Sequence, residues 1–187
     1  MTARYVYLAR HGDAVEGAGL TDAGREQAEL LAGRLAGVPL ASVTHSPLQR
    51  AVETAAVLGH PGVPSEVVGD YVPYAPDPLP PTLQGWTAEE LAEGPRLAAE
   101  ALARFARPAD TETHELIVTH AFLVAWFVRD ALGAPPERWL GLHAANCALT
   151  VIRYTHERPP ALVLFNDMVH LPPELRWTGF PPHLRPA

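Results

Sequence analysis

Short apolar runs alternate along the chain with longer stretches in which apolar residues recur every three or four positions. The runs at residues 4–10 and 114–120 are almost continuously apolar, which is typical of strands buried on both faces of a parallel sheet. This pattern predicts strands at residues 4–10, 41–46, 65–72, 114–120, 147–155 and 160–167. The last two are expected to form a closing pair.

The longer stretches predict helices at residues 20–37, 46–59, 87–106 and 121–133. In the first, Thr21 is the expected N-cap and Gly37 the stop signal. In the second, Ser46 is expected to cap, Pro47 suits the first helical position and Gln49 would complete a capping box.

The third and fourth helices carry further signals. Thr87 and Glu90 have the spacing of a capping box at the start of the third helix, and Pro95 is expected to break or kink it. The fourth helix, at residues 121–133, is apolar nearly all round and should therefore be buried.

Strands that alternate with helices predict an α/β fold, a three-layer sandwich with a mostly parallel central sheet flanked by helices. A chain of 187 residues fits a single domain over residues 1–187. The tail from Leu171 is rich in proline, and it should either pack as an irregular strap or fray.

Composition narrows the class of protein. The hydrophobic fraction of 48% and the charged fraction of 19% are ordinary for a globular protein, and the net charge of -7 argues against a nucleic-acid partner. No apolar run approaches the roughly 18 residues of a membrane span, and no signal-peptide pattern opens the chain, so a cytoplasmic protein without membrane contact is expected. The single cysteine, Cys147, excludes a disulfide framework and is expected to be an inert, buried thiol in a strand.

Basic and acidic side chains follow the predicted strands at the points where ligands bind in such sheets. Arg10 and His11 end the first strand, Arg50 follows the second, Asp70 the third and His120 the fourth. Arginine forks match phosphate oxygens, and a helix N-terminus favours an anion, so this set predicts a phosphate pocket that contains a nucleophile.

Other interpretations of single residues remain open. A lone histidine at a strand end is most often a satisfied polar residue, and His45 and His143 are ambiguous candidates for the wall of the pocket. A zinc site built from His11, His120 and an aspartate lacks the usual ligand spacing, so no metal is expected.

Four motifs together resemble the histidine phosphatase (phosphoglycerate-mutase-like) superfamily, branch 1. They are RHG, LTDAGREQA, SPLQRAVETA and IVTHAFLV, and they occur in the family's order within residues 4 to about 170. The stretches YVPYAPDP, THAFLVAWFVRDALGAPPERWLGLHAANCALTVIRY and HLPPELR are similar to the mutase-like serine/threonine protein phosphatases. The RHGDA start resembles the small bacterial phosphohistidine phosphatases. Only 19 positions separate Arg50 from Asp70, which favours a phosphatase over the longer mutases.

The resemblance implies a role for each candidate. His11 would be the nucleophile, Arg10 and Arg50 would clamp phosphate, and His120 would be the second pocket histidine. The general acid, a glutamate in most of the family, falls on Asp70, with Asp77 as the alternative.

The implied activity is that of a metal-independent phosphomonoester phosphatase that works through a phosphohistidine and needs no cofactor. A phosphoprotein is the favoured substrate. A phosphohistidine phosphatase of a phosphorelay, a small-metabolite phosphatase and a non-catalytic phosphate sensor are the alternatives, and a homodimer is compatible with the sequence. His11 must be neutral to attack, and the neighbouring arginines would favour that state. His120 is expected to be protonated when phosphate is bound.

Overall fold

A computed structural model describes residues 2–15, 17–60 and 62–185. In this part of the chain the strands are β1 (Arg4–Arg10), β2 (Ala14–Val15), β3 (Gly19–Leu20), β4 (Leu40–His45), β5 (Val63–Pro64), β6 (Thr113–Thr119), β7 (Leu149–Tyr154) and β8 (Ala161–Asp167). The helices are α1 (Asp22–Leu35), α2 (Gln49–Val57), α3 (Ala88–Phe105) and α4 (Ala121–Ala131).

Six of the strands form one sheet in the order β5-β4-β6-β1-β7-β8. The pairs β5–β4, β4–β6 and β6–β1 are parallel, and the pairs β1–β7 and β7–β8 are antiparallel. The prediction of a mostly parallel sheet is confirmed, and the closing pair forms its antiparallel edge. Strands β1, β4 and β6 therefore end at the same edge of the sheet.

The alternation of side chains along β1 separates the two faces of the sheet. Val6 and Leu8 join a core with residues of α3 and α4, whereas Ala9 joins a core with residues of α1 and α2. Because successive side chains of a strand point to opposite faces, the two helix pairs cover opposite sides. The result is the predicted sandwich of three layers.

The predicted strand at residues 65–72 is wrong. In this region pairing with the sheet is confined to β5, which ends just before residue 65. Residues Glu66–Val68 form a turn of 3-10 helix. Val67 and Val68 are buried, so their apolar character reflects packing against the core rather than a place in the sheet. Pro64 has no N–H to extend the ladder, which contributes to the early end of pairing.

The expected cap of the second helix is also wrong. α2 begins at Gln49 after Leu48, which has an extended backbone, and no side chain caps it. Gln49 Nε2 instead donates to Glu53 Oε1 at 2.7 Å. The hydroxyl of Ser46 lies two residues too early for the cap position.

Other helix signals are confirmed. The Thr21 side chain accepts a hydrogen bond from Gly24 N, and Thr87 and Glu90 form the capping box of α3. Pro95 does not break α3, which continues to Phe105 at the cost of the one backbone hydrogen bond that proline cannot donate. α4 is buried along most of its length, as predicted.

The segment after β8 packs as a strap. Leu171 and Leu175 are buried against Ala145, Ala148 and Met168, and short 3-10 helices form at Pro173–Leu175 and Pro182–Leu184. Of the two expectations for the tail, packing is the one observed over residues 171–180. We call residues 171–185 the C-terminal strap.

Cys147 lies just before β7 rather than within it, with a φ of 50°. It is fully buried, and burial raises the pKa of its thiol, as expected of an inert thiol. Within the described residues, none of the helices is long and apolar enough to cross a membrane.

Candidate active site

The candidate residues meet where the parallel strands end. Arg10 is the last residue of β1 and is paired in register with Thr119, the last residue of β6. His11 and His120 are the next residues of the two segments, so their rings lie side by side with centroids 5.1 Å apart. The strand-end argument therefore placed these residues correctly.

The ring of His11 is held in one orientation and one tautomer. Its Nδ1 lies 2.7 Å from the carbonyl oxygen of Gly12. Because a carbonyl can only accept, Nδ1 carries the proton and the lone pair is on Nε2. Nε2 receives a hydrogen bond from Nε of Arg50 at 3.1 Å.

The loop that carries His11 is fixed on both sides. Thr54 Oγ1 accepts from Gly12 N at 3.0 Å, and Nδ2 of Asn146 donates to the His11 carbonyl oxygen at 2.8 Å.

His11 is buried, and burial together with the charge of Arg10 lowers its pKa to about 3. His11 is therefore neutral at physiological pH, and burial is the largest single cause.

His120 contacts two site residues through its two ring nitrogens. Nε2 lies 2.8 Å from the Ser46 hydroxyl, and Nδ1 lies 3.2 Å from Nη2 of Arg50. Burial, followed by the charges of Arg50 and Arg10, lowers the pKa of His120 to about 3. The ring is thus neutral in the molecule without an anion, and its protonation in a phosphate complex remains a prediction.

The guanidinium of Arg10 is held by backbone carbonyls. Its Nη1 donates to the Ala144 oxygen at 2.9 Å and to the Gly179 oxygen at 2.7 Å. Arg10 Nε is buried and has no partner among the described residues. The C-terminal strap thus contributes directly to the position of this arginine.

Arg50 joins the two histidines to a carboxylate. Its Nη2 donates to Asp70 Oδ2 at 2.6 Å, and the same oxygen lies 3.4 Å from Nδ1 of His120. Asp70 follows the 3-10 turn that replaces the predicted strand, so the expected position was right although the expected element was not. Asp77 is exposed and does not line this site.

The candidate residues enclose a cavity of about 180 Å³, which we call the catalytic pocket. Its walls are Arg10, His11, Asp70, Trp86, His120, Ala121 and Phe122. α4 begins at Ala121, so the positive end of its dipole lies at the pocket and favours an anion there. The arrangement suits a phosphate group held beside a neutral imidazole.

Sequence reasoning missed several residues of the site. Ser46 was interpreted as a helix cap but contacts His120, and the aromatic walls Trp86 and Phe122 gave no local signal. His45 is buried with its Nδ1 2.9 Å from the Ser46 carbonyl and does not line the pocket, whereas His143 lines a neighbouring cavity. Within residues 2–15, 17–60 and 62–185, no group of three or more histidine, cysteine or acidic side chains could hold a metal ion.

Comparison with known proteins shows which family the chain matches. The model of the histidine phosphatase superfamily (branch 1) matches residues 6–70 and 73–168. The chain is 35% identical over 184 residues to the mitochondrial serine/threonine-protein phosphatase Pgam5 of Caenorhabditis briggsae. It is 30% identical over 191 residues to the human PGAM5 of the same description.

The matches cover 91% of this chain and 65% of each of these two relatives, so the chain spans about two thirds of their length. Among solved structures, the α-ribazole phosphatase of Shigella flexneri superposes with a TM-score of 0.66 at 19% identity, covering 87% of this chain and 96% of that one. A phosphoserine phosphatase variant of Entamoeba histolytica superposes with a TM-score of 0.65 at 18% identity, covering 90% and 99%. These structures show that the fold is shared.

Proposed function

The chain belongs to branch 1 of the histidine phosphatase superfamily, and we propose that it hydrolyses phosphate monoesters of proteins through a phosphohistidine on His11. One observation carries the proposal. A neutral His11, with its proton fixed on Nδ1 by Gly12, has its Nε2 lone pair beside Arg50 in a pocket that Arg10 also lines.

The first step is attack of His11 Nε2 on phosphorus. A nitrogen that carries a proton cannot attack, so the lowered pKa of His11 keeps the nucleophile active across the physiological pH range. The hydrogen bond from Arg50 Nε to Nε2 would be exchanged for one to a phosphate oxygen as the substrate enters. The N–P bond forms as the bond from phosphorus to the leaving oxygen breaks.

The main task of the site would be to stabilise the negative charge on the transferred phosphoryl group. In phosphoryl transfer, negative charge is spread over three oxygens, and preorganised donors that face them supply much of the catalysis. Arg10 and Arg50 provide such donors, His120 would add one on protonation in the phosphate complex, and the N-terminus of α4 adds a partial positive charge. These groups supply the positive charge in the proposed mechanism, which uses neither a metal nor another cofactor.

Asp70 is proposed as the proton donor. Asp70 is paired with Arg50 in the free site; once protonated in the substrate complex, its carboxyl would give a proton to the leaving alkoxide. The resulting carboxylate would accept a proton from the water whose attack on the phosphohistidine breaks the N–P bond. Inorganic phosphate leaves, and His11 and Asp70 return to their starting states. Asp70 lines the catalytic pocket and Asp77 does not, which favours Asp70 for this role.

A phosphoprotein is the proposed substrate because the relatives in Caenorhabditis briggsae and human are described as serine/threonine-protein phosphatases. A small phosphate ester is the alternative, since the Shigella neighbour is described as an α-ribazole phosphatase. Cytoplasmic location, a homodimer and the absence of nucleic-acid or membrane partners remain predictions from the sequence. The Pgam5 relatives are described as mitochondrial.

The test combines turnover with capture of the intermediate. The purified protein would be mixed with ³²P-labelled phosphoserine peptide, quenched in base to preserve phosphohistidine, and compared with His11→Ala and with His156→Ala as a matched surface control. We expect a base-stable, acid-labile label on the wild type and on His156→Ala, and neither label nor turnover for His11→Ala. Retained turnover in His11→Ala would overturn the mechanism, and absence of turnover in the wild type would favour a phosphate sensor.

The substrate class needs its own comparison. Initial rates would be measured on phosphoserine and phosphothreonine peptides, a phosphohistidine protein and sugar phosphates under identical conditions. We expect the highest kcat/KM for a phosphoserine or phosphothreonine peptide. A higher value for the phosphohistidine protein or for a sugar phosphate would replace the proposed substrate class.

A further inference from the structure

A second cavity, of about 310 Å³, opens beside the catalytic pocket. The two share Arg10, Ala121 and Phe122 as common walls. The second cavity therefore adjoins the place where a phosphate would lie beside Arg10 and His120. We call it the apolar cavity for the reason given next.

The lining of the apolar cavity is dominated by hydrocarbon. Phe122, Trp139, Leu140, Leu142 and Pro181 form most of it, and none of the described residues that line it is acidic. The rings of Phe122 and Trp139 pack edge to face with centroids 4.8 Å apart.

Few polar side chains line the apolar cavity: those of Arg10, Thr82, Trp139 and His143. Trp139 Nε1 already donates to the Tyr74 carbonyl at 2.9 Å, so its N–H is not available. Burial, followed by the charges of His183 and Arg10, lowers the pKa of His143 and keeps that ring neutral. The cavity therefore suits an uncharged apolar group, and its volume lies at the lower end of the range for small-molecule sites, about 300–1,000 Å³.

A third cavity beside the catalytic pocket has different chemistry. A cavity of about 610 Å³ shares Asp70 and Trp86 with the catalytic pocket, and Glu89, Glu90 and Glu93 are among its walls. A peptide that reaches this cavity meets acidic side chains beside Trp86 and Leu97, whereas the apolar cavity has no acidic residue among its described walls. The apolar cavity is therefore the better place for a large apolar side chain.

A sugar phosphate fits the apolar cavity poorly. Its hydroxyl groups would face Leu140 and Leu142, and a buried hydroxyl without a partner costs free energy that a hydrocarbon group does not. A peptide meets this constraint more easily, since the residue next to the phosphorylated one can carry a large apolar side chain.

We propose that the apolar cavity receives a large apolar side chain of a phosphopeptide, from a residue adjacent to the phosphorylated one. The inference rests on the proposed function and adds to it a preference for the sequence around the phosphate. The contact lies outside the phosphate-binding residues, so it sets selectivity among substrates rather than the chemical step.

The experiment uses matched phosphoserine peptides that differ at one flanking position, with leucine, phenylalanine, glycine or aspartate on either side of the phosphoserine. Free phosphoserine serves as the reference substrate because it has no flanking residue. We expect leucine or phenylalanine on one side to raise kcat/KM by about tenfold or more over glycine, the range that one buried apolar group provides in a hydrophobic pocket.

Leu142→Glu places a charge in the apolar cavity and should abolish that preference, while kcat/KM for free phosphoserine changes by less than about twofold. Leu132→Glu, at an exposed position beyond the end of α4, is the matched control and should keep the preference. Leu142→Ala is a milder change and should shift the preferred flank from leucine toward tryptophan because it enlarges the cavity.

Two outcomes would overturn the inference: equal kcat/KM for all flanks in the wild type, or an unchanged leucine preference in both Leu142 variants. Failure of the proposed function has a different signature. In that case neither the peptides nor p-nitrophenyl phosphate would be hydrolysed, and the inference that depends on it would fall as well.

Discussion

Gly179 lies directly against Arg10, although the two are 169 positions apart in the chain, and its carbonyl oxygen accepts a hydrogen bond from Arg10 Nη1 at 2.7 Å. A Cβ atom at Gly179 would lie 2.6 Å from Arg10 Nη1 and 2.2 Å from Oδ1 of Asn146. The residue also has a φ of +66°, which side chains other than glycine rarely adopt. Position 179 therefore has to be glycine for two separate reasons.

Gly179→Ala should move the Arg10 guanidinium and weaken phosphate binding. We expect kcat/KM to fall by about tenfold or more, since well-placed donors to a transition-state oxyanion are worth about 10²–10³ when they are lost. The inhibition constant of inorganic phosphate would measure the binding component. Gly133→Ala is the control for backbone strain alone. Gly133 has a similar φ, of +60°, but a Cβ atom there would have no neighbour within 4 Å. Equal activity losses in both variants would show that strain, not Arg10, is responsible.

Ser46→Ala should leave the Nε2 of His120 without its partner at 2.8 Å. Both groups are buried, so the lost contact should cost about 1–3 kcal/mol of stability and loosen the His120 ring in the pocket. We expect kcat/KM to fall by about tenfold, as measured on a phosphoserine peptide. Ser42→Ala, at an exposed position of β4, is the control. Wild-type activity in Ser46→Ala would mean that Arg50 alone positions His120.

Asp70→Asn should slow the hydrolysis of different substrates to different degrees, depending on their leaving groups. An alkoxide needs a proton as it departs, and general acid catalysis is worth about 10²–10⁴ in rate, whereas p-nitrophenolate leaves readily without one. We expect about 100-fold or greater slowing with a phosphoserine peptide and much less with p-nitrophenyl phosphate. Asp77→Asn should affect neither substrate. If Asp70→Asn slows both substrates equally, Asp70 positions Arg50 through their contact at 2.6 Å and is not the acid.

The buried histidines should make the protein sensitive to acid. The pKa values of His11 and His120 are lowered to about 3 in the folded chain, against an ordinary value near 6.5 when unfolded. Between these values the unfolded chain binds protons that the folded chain does not, so stability falls as the pH drops from about 6.5 toward 3. Each histidine should contribute a slope of about 1.4 kcal/mol per pH unit in that window.

Urea unfolding at a series of pH values would measure this slope. His120→Gln should reduce the slope by about 1.4 kcal/mol per pH unit, the contribution of one buried histidine. His156→Gln, at an exposed position, should leave the slope unchanged. A slope that is the same in all three proteins would contradict the role of the buried rings.

The sequence predicted the parts of the site that follow from sheet geometry. His11 and His120 each come directly after an apolar strand, and the ends of parallel strands meet at one edge. That rule brings the two rings together without any knowledge of packing. The expected position of Asp70 was also right, although a 3-10 turn rather than a strand precedes it. What matters for the site is where the residue lies relative to the pocket, and not the type of element before it.

What the sequence could not predict depends on contacts between distant segments. The apolar pair Val67 and Val68 looks the same in a strand as in a buried turn, so the pattern alone could not distinguish them. Ser46 has the composition of a cap, but its hydroxyl contacts a residue 74 positions away. The contact between Gly179 and Arg10 leaves no periodic signal, since a single backbone carbonyl makes it.

Gln27 is a second residue near the site whose contacts depend on the C-terminal strap. It is fully buried, its side-chain oxygen accepts from Asp13 N at 2.8 Å, and its Nε2 donates to the Leu175 oxygen at 2.8 Å and to Thr178 Oγ1 at 2.7 Å. One amide thus ties the loop after the nucleophile to the C-terminal strap. Residues 175–179 emerge from the ribosome after every strand of the sheet and after α4, because they follow them in the chain. Until they do, Arg10 lacks one of its two carbonyl acceptors and Gln27 lacks its strap partners, so the phosphate site is finished only after the sheet that carries it.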